Sequence, residues 1–118
     1  MNSEVWLIAE FTIKEGKIDA FKDVANMFIT AVQVNEPGAL TYQFYFNNKQ
    51  TKCLVMEQYC DSKAVLTHLR NVGALVMKLL DTAQLTRGEI YGNASKELRV
   101  AATPFGVKFF QHWDGFVR

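Results

Sequence analysis

The chain predicts an α+β domain of the ferredoxin-like, split β-α-β kind. Its expected form is a four-stranded antiparallel sheet with helices on one face, followed by a C-terminal helix and an extended tail. Three observations carry this. Apolar residues recur at every second position over 5–13, take helical spacing after Gly16, and alternate between the two patterns twice more. A polar loop, Asn47 to Thr51, joins two neighbouring strand-like runs as a hairpin would. A length of 118 residues suffices for one core and is short for two. The whole chain, 1–118, therefore reads as a single domain, with its core in 4–92 and an extension in 93–118.

In the first strand Val5, Leu7, Ala9, Phe11 and Ile13 point one way, and Trp6, Ile8, Glu10 and Thr12 the other. Trp6 and Ile8 are not solvent residues, so both faces of the sheet are expected to be covered. Ile18, Phe21, Val24, Ala25, Phe28, Ala31 and Val32 then make a helical stripe of about five turns. Pro37 and Gly38 end it, because proline cannot continue a helix. The hairpin strands take 39–46 and 52–59, with Leu40, Tyr42, Phe44 and Phe46 sharing one face of the first. Asp61 or Ser62 can cap the next helix, whose stripe is Val65, Leu66 and Leu69. Gly73 is expected to separate it from a further helix over 74–83. A fourth strand reads over 85–91 and ends at Gly92. Ser95 caps a short helix bearing Leu98, Val100 and Ala101, and after Pro104 comes the aromatic run "VKFFQHWDGFV".

Hydrophobic residues make up 49% of the chain and charged ones 21%, an ordinary balance for a folded domain. The net charge of +1 provides no field to recruit nucleic acid or an anionic membrane. The longest weakly polar stretch, 24–34, is broken by Asn26, Thr30 and Gln33 and falls short of the roughly 20 residues of a membrane helix. "MNSEVWLIAEF" lacks the basic flank of a signal peptide. Cys53 and Cys60 are too far apart on an extended segment to form a disulfide. Two free thiols point to a reducing compartment, so a cytoplasmic location is expected.

With helices on one face, the other would carry Trp6, Ile8, Glu10 and Tyr45, with Glu57 a further candidate for it. So apolar a face is an association surface, and a two-fold homodimer, sheet against sheet, would cover it. A space trapped between sheets, or between sheet and helices, would be an apolar pocket with a few polar groups.

The stretches "GALTYQFYF" and "LVMEQYCDSKAVLTHL" resemble the antibiotic biosynthesis monooxygenase domain family. Glu36-Pro37-Gly38, Tyr42, Glu57, Tyr59, Asp61 and His68 match its pattern position by position, and the resemblance spans roughly 4–92. It implies a dimeric α+β barrel. It also implies the activity of several members, oxygenation of polyphenols or quinols by dioxygen without metal or flavin. The haem-degrading branch uses an Asn, a Trp and a His together; Trp6 is present in the first strand but no Asn accompanies it.

Each candidate residue has a plainer account. Glu57 would sit at a sheet edge or pair with a Lys or Arg; the functional account is a desolvated carboxylate poised to accept a phenolic proton. His68 would be a core-edge histidine, and His112 an exposed one. Packing accounts for most of Trp6, Tyr42, Phe44, Tyr45 and Tyr59. Cys53 and Cys60 read as inert fillers. No metal site is expected, since neither histidine has ligand-spaced partners, and phosphate-binding glycine loops are absent.

Two functions follow as expectations. The first is a monooxygenase in which Glu57 or His68 is the base, Gln43, Tyr45 and Tyr59 contact substrate, and Trp6 and Phe44 stack on its rings, with no cofactor. The second is a non-catalytic dimeric module holding a small apolar ligand. Side chains filling the pocket and fully paired ionisable groups would favour the second.

Overall fold

The computed structural model describes residues 3–118; Met1 and Asn2, which the 1–118 boundary includes, lie outside the described residues. The elements run β1 (Val5–Ile13), α1 (Ile18–Asn35), β2 (Ala39–Phe46), β3 (Lys52–Tyr59), α2 (Ser62–Leu80), β4 (Ala83–Tyr91), α3 (Lys96–Ala102), a 3-10 turn (Thr103–Phe105) and β5 (Lys108–Phe110). The sheet has five strands in the order β2-β3-β1-β4-β5. The first four are antiparallel, as the hairpin and the split β-α-β pattern require. The fifth corrects the expected four-stranded sheet: α3 carries the chain back so that Lys108–Phe110 adds parallel to β4. Three residues are too few for alternation to reveal a strand.

α1 turns Phe21, Ala25, Phe28 and Val32 onto the sheet, the spacing its stripe dictates. α2 is one helix through Gly73, not two. Glycine there costs about 1 kcal/mol against alanine, but Val72 and Leu79 on either side are buried and hold the helix down. Asp61 is its cap, accepting the Ala64 N–H at 2.9 Å. Ser95 caps α3 in the same way, but the buried residues of α3 are Leu98 and Ala102, while Val100 is exposed.

Two bulges decide which side chains face the helices. In β2 the register slips between Ala39 and Thr41, so Leu40 is turned out to solvent instead of sharing a face with Tyr42. In β4 Glu10 opposes Arg87 while Phe11 opposes Leu85, leaving Thr86 as the extra residue. Gly88 and Ile90 therefore face inward beside Leu85, and Arg87, Glu89 and Tyr91 face outward. Gly92 ends β4 at φ +118°, where any Cβ would lie 2.9 Å from the Glu4 carbonyl oxygen.

The core lies between the helices and one sheet face in two clusters. One centres on Phe21, Phe28, Val55 and Val72. The other centres on Val5, Tyr59, Val65, Ile90 and Leu98. The opposite face has no helix on it and exposes Trp6 and Tyr45, with Phe110 on the added strand. Among the described residues no helix is long and apolar enough to cross a membrane. Both cysteines are free, and burial pushes the Cys53 thiol up to about 11.

Candidate active site

Strict alternation in β3 sends Cys53, Val55, Glu57 and Tyr59 toward the helices. Glu57 is therefore on the covered face, not the open one. β3 lies between β2 and β1, so this is no sheet edge either. Glu57 is 4% exposed, and among the described residues no Lys or Arg lies in ion-pair range of it. Its contacts are the Tyr59 hydroxyl, which donates to Oε1 at 2.5 Å, and His68 Nε2 at 3.6 Å.

His68 is not at the core edge but inside, 6% exposed. It lies one turn along α2 from Val65 and one turn before Val72, on the helix's buried face. Its Nδ1 lies 3.1 Å from both oxygens of Glu36. A ring nitrogen facing a carboxylate donates to it, which leaves Nε2 toward Glu57 and fixes the ring. Glu36 is the last residue of the α1 exit: its N–H caps onto the Val32 carbonyl, and Pro37 prevents another turn. Asn71, three residues after His68, donates to Glu36 Oε2 at 2.7 Å and to the Ala31 carbonyl at 3.0 Å. The rings of Tyr42 and Tyr59 pack against the imidazole with centroids 5.5 and 5.4 Å away.

The result is a carboxylate–imidazole–carboxylate row in the dry interior. Burial pushes the Glu57 carboxyl above its ordinary value, against the opposing pull of His68 and the Tyr59 hydrogen bond. Burial works against charge on His68, but the Glu36 hydrogen bond and the two carboxylate charges outweigh it and hold its value up. Burial and the Glu57 charge keep both tyrosine hydroxyls protonated far into the alkaline range. A carboxyl of raised proton affinity and an imidazole whose protonated form its carboxylate neighbours favour thus stand side by side.

Glu57, His68 and Tyr42 form the polar part of a cavity of about 360 Å³ between the sheet and α2, bordered on its far side by α3 and the 3-10 turn. The remaining lining is apolar, and the volume is in the range of small-molecule sites. The space is not filled by side chains, although the ionisable groups do bond to one another.

The sequence-derived candidates divide by face. Glu57, His68 and Phe44 line the cavity. Tyr59 is fully buried behind Glu57 and holds it rather than facing the space. Trp6, Gln43 and Tyr45 lie on the other side of the sheet, paired with Gln58, Met56 and Leu54 of β3. They do not meet the cavity. His112 is exposed in the tail. Asn71 carried no role in the sequence reading, and Glu36 only a place in a motif; an amide three residues after His68 on one helix face was the available signal.

A sheet roofed by helices over an apolar chamber with an ionisable cluster in its wall defines an α+β domain with an internal cavity. The antibiotic biosynthesis monooxygenase family model matches residues 5–76, and the chain belongs to that family. The chain is similar to MupZ from Pseudomonas fluorescens, with 30% identity, a TM-score of 0.88, and cover of 100% of this chain and 91% of MupZ. At the level of fold it is similar to SnoaB, a cofactor-independent oxygenase from Streptomyces nogalater, with 15% identity, a TM-score of 0.67, and cover of 80% and 96%. Rv0793 from Mycobacterium tuberculosis is comparable, with 19% identity, a TM-score of 0.67, and cover of 80% and 98%. No curated protein matches the sequence.

Proposed function

We propose that this protein is a proton-transfer enzyme acting on a small molecule enclosed between sheet and helices. In the form its family favours, it is a cofactor-independent monooxygenase of an electron-rich aromatic such as a quinol or polyphenol. The carrying observation is Glu57, a buried carboxylate of raised proton affinity facing an unfilled apolar cavity. Triplet dioxygen reacts slowly with closed-shell molecules, but a phenolate can give it an electron. Glu57 takes the phenolic proton, and the substrate supplies the electrons. His68, held cationic by Glu36, stabilises the oxygen anion as it forms. Tyr42 and Phe44, packed edge to face on each other, form one wall for the ring. Tyr59, Glu36 and Asn71 position the reacting pair without touching substrate.

One observation favours a second reading. The cavity presents a donor beside an acceptor, which also suits an isomerisation or ring-forming step that needs no oxygen. Oxygen-electrode traces with a panel of quinols separate the two. Oxygen uptake abolished by a Glu57→Gln, His68→Ala double substitution is the expected result. No uptake, together with enzyme-dependent deuterium exchange at acidic C–H positions of ketones in heavy water, would establish the non-oxidative reading. Neither activity, with binding retained, would leave a ligand-holding module.

The open sheet face supports a two-fold homodimer, since Trp6, Tyr45 and Phe110 would otherwise remain in water. Light scattering at micromolar concentration is expected to give twice the 13.4 kDa chain mass; a stable single chain would remove this assembly.

A further inference from the structure

The polar groups of the cavity are confined to one end. In the sheet register Glu57 stands beside Leu7, which also opposes Ile90 of β4. Two inward positions further along β1 comes Phe11, beside Leu85. Both ends line the cavity, which thus runs four residues along β1, about 13 Å at the usual rise of a strand. Beyond Glu57, His68 and Tyr42 its walls are hydrocarbon, and mainly aliphatic: Val72, Val76 and Leu80 of α2, Leu85 of β4, and Leu98 and Ala102 of α3.

The far wall is built by residues after the family-matched span of 5–76. The 3-10 turn puts Pro104 and Phe105 on the cavity, and Gly106 at φ +69° turns the chain into β5. Val107 seats on the sheet over Gly88, where even a single Cβ would come within 3.3 Å of it. Phe105 both lines the space and is 44% exposed, so it stands where the cavity meets solvent.

We propose that Phe105 is the length-determining residue of this cavity, and that its ligand is an amphipathic molecule with a proton-bearing head at Glu57 and His68 and an aliphatic chain reaching Phe105. The inference rests on the same cavity being the substrate site and narrows the substrate to alkyl-bearing phenols or enols. A compact polyhydroxylated ring would leave the aliphatic part of the cavity unfilled. It would also carry hydroxyls into walls that offer them no partner.

The test is a binding series that needs no catalysis, so it can fail while the catalytic reading survives, and the reverse. 4-n-Alkylphenols from methyl to decyl are titrated calorimetrically into the full-length protein. Affinity is expected to rise roughly fourfold per added methylene until the chain reaches Phe105, then to level off. Phe105→Ala moves the levelling point to longer chains and Phe105→Trp to shorter ones. Position 105 is half-exposed, and circular dichroism verifies that both variants fold. Affinity independent of chain length in the wild type overturns the aliphatic ligand. A levelling point that neither variant moves overturns the role of Phe105.

Discussion

The sheet carries the same local pattern twice, Glu57-Gln58-Tyr59 in β3 and Glu89-Ile90-Tyr91 in β4, and in both the tyrosine hydroxyl donates to the carboxylate two residues before it. The two carboxyls nevertheless behave oppositely. Glu57 is on the covered face beside an imidazole, and burial raises its proton affinity. Glu89 is on the open face, where hydrogen bonds from Arg87 and Tyr91 lower it. The difference originates in one residue: the Thr86 bulge reverses the alternation of β4 and turns Glu89 outward. A motif thus fixes a hydrogen bond, while the face of the sheet fixes its chemistry.

Substitutions at matched positions sharpen this contrast. The largest expected effect is on turnover. Glu57→Gln removes the proposed base and is expected to lower the rate by about 10²–10⁴, whereas Glu89→Gln is expected to leave the rate per folded protomer near wild type. Comparable losses from both would erase the distinction between the faces.

Stability comes next. Glu36→Ala leaves the His68 charge buried beside too little compensation, and urea denaturation is expected to show a loss of about 3–5 kcal/mol. Arg87→Ala, which removes an exposed partner on the other face, is expected to move the midpoint little.

A smaller effect tests the tyrosines. Tyr59→Phe removes a bond that favours ionised Glu57, so the acidic limb of the pH–rate profile shifts to higher pH. Tyr91→Phe leaves that limb in place.

The smallest effect is the pH dependence of stability. The folded value of Glu57 lies above its ordinary 4.5, so its contribution is complete below 4.5 and fades as pH climbs through the raised value. His68 behaves likewise above its ordinary 6.5: the contribution is full below 6.5 and lost as pH rises through the folded value. Glu89, lowered from 4.5, contributes above that pH and loses its contribution as pH falls through the folded value. Denaturation midpoints across pH are expected to flatten on the alkaline side in Glu57→Gln and on the acid side in Glu89→Gln.

Much of this was readable from side-chain periodicity. The stripe from Phe21 to Val32 and the alternation of Val5 to Ile13 give α1 and β1 directly, and Pro37 marks the exit that delivers Glu36. Glu57 and His68 stood out because ionisable groups are rare in such apolar runs. What stayed hidden was set by pairing between distant segments. The bulges at Leu40 and Thr86 reverse alternation at residues that are themselves neither glycine nor proline. β5 is too short to show a period, and its strand character comes from β4. Gly73 looked like a break because its helix is held by tertiary packing. Gln43 and Tyr45 differ in parity from Phe44, so one cavity cannot hold all three. The part played by Asn71 depends on where α1 ends relative to α2, a relation no local window contains.

The row Glu36–His68–Glu57 draws one member from the end of α1, one from the middle of α2 and one from an interior strand. None of these segments can assemble it alone, and a hairpin or helix pair formed early would hold at most two of the three. The row therefore exists only where the end of α1, the strand β3 and the middle of α2 are packed together, so its integrity reports the docking of those three segments.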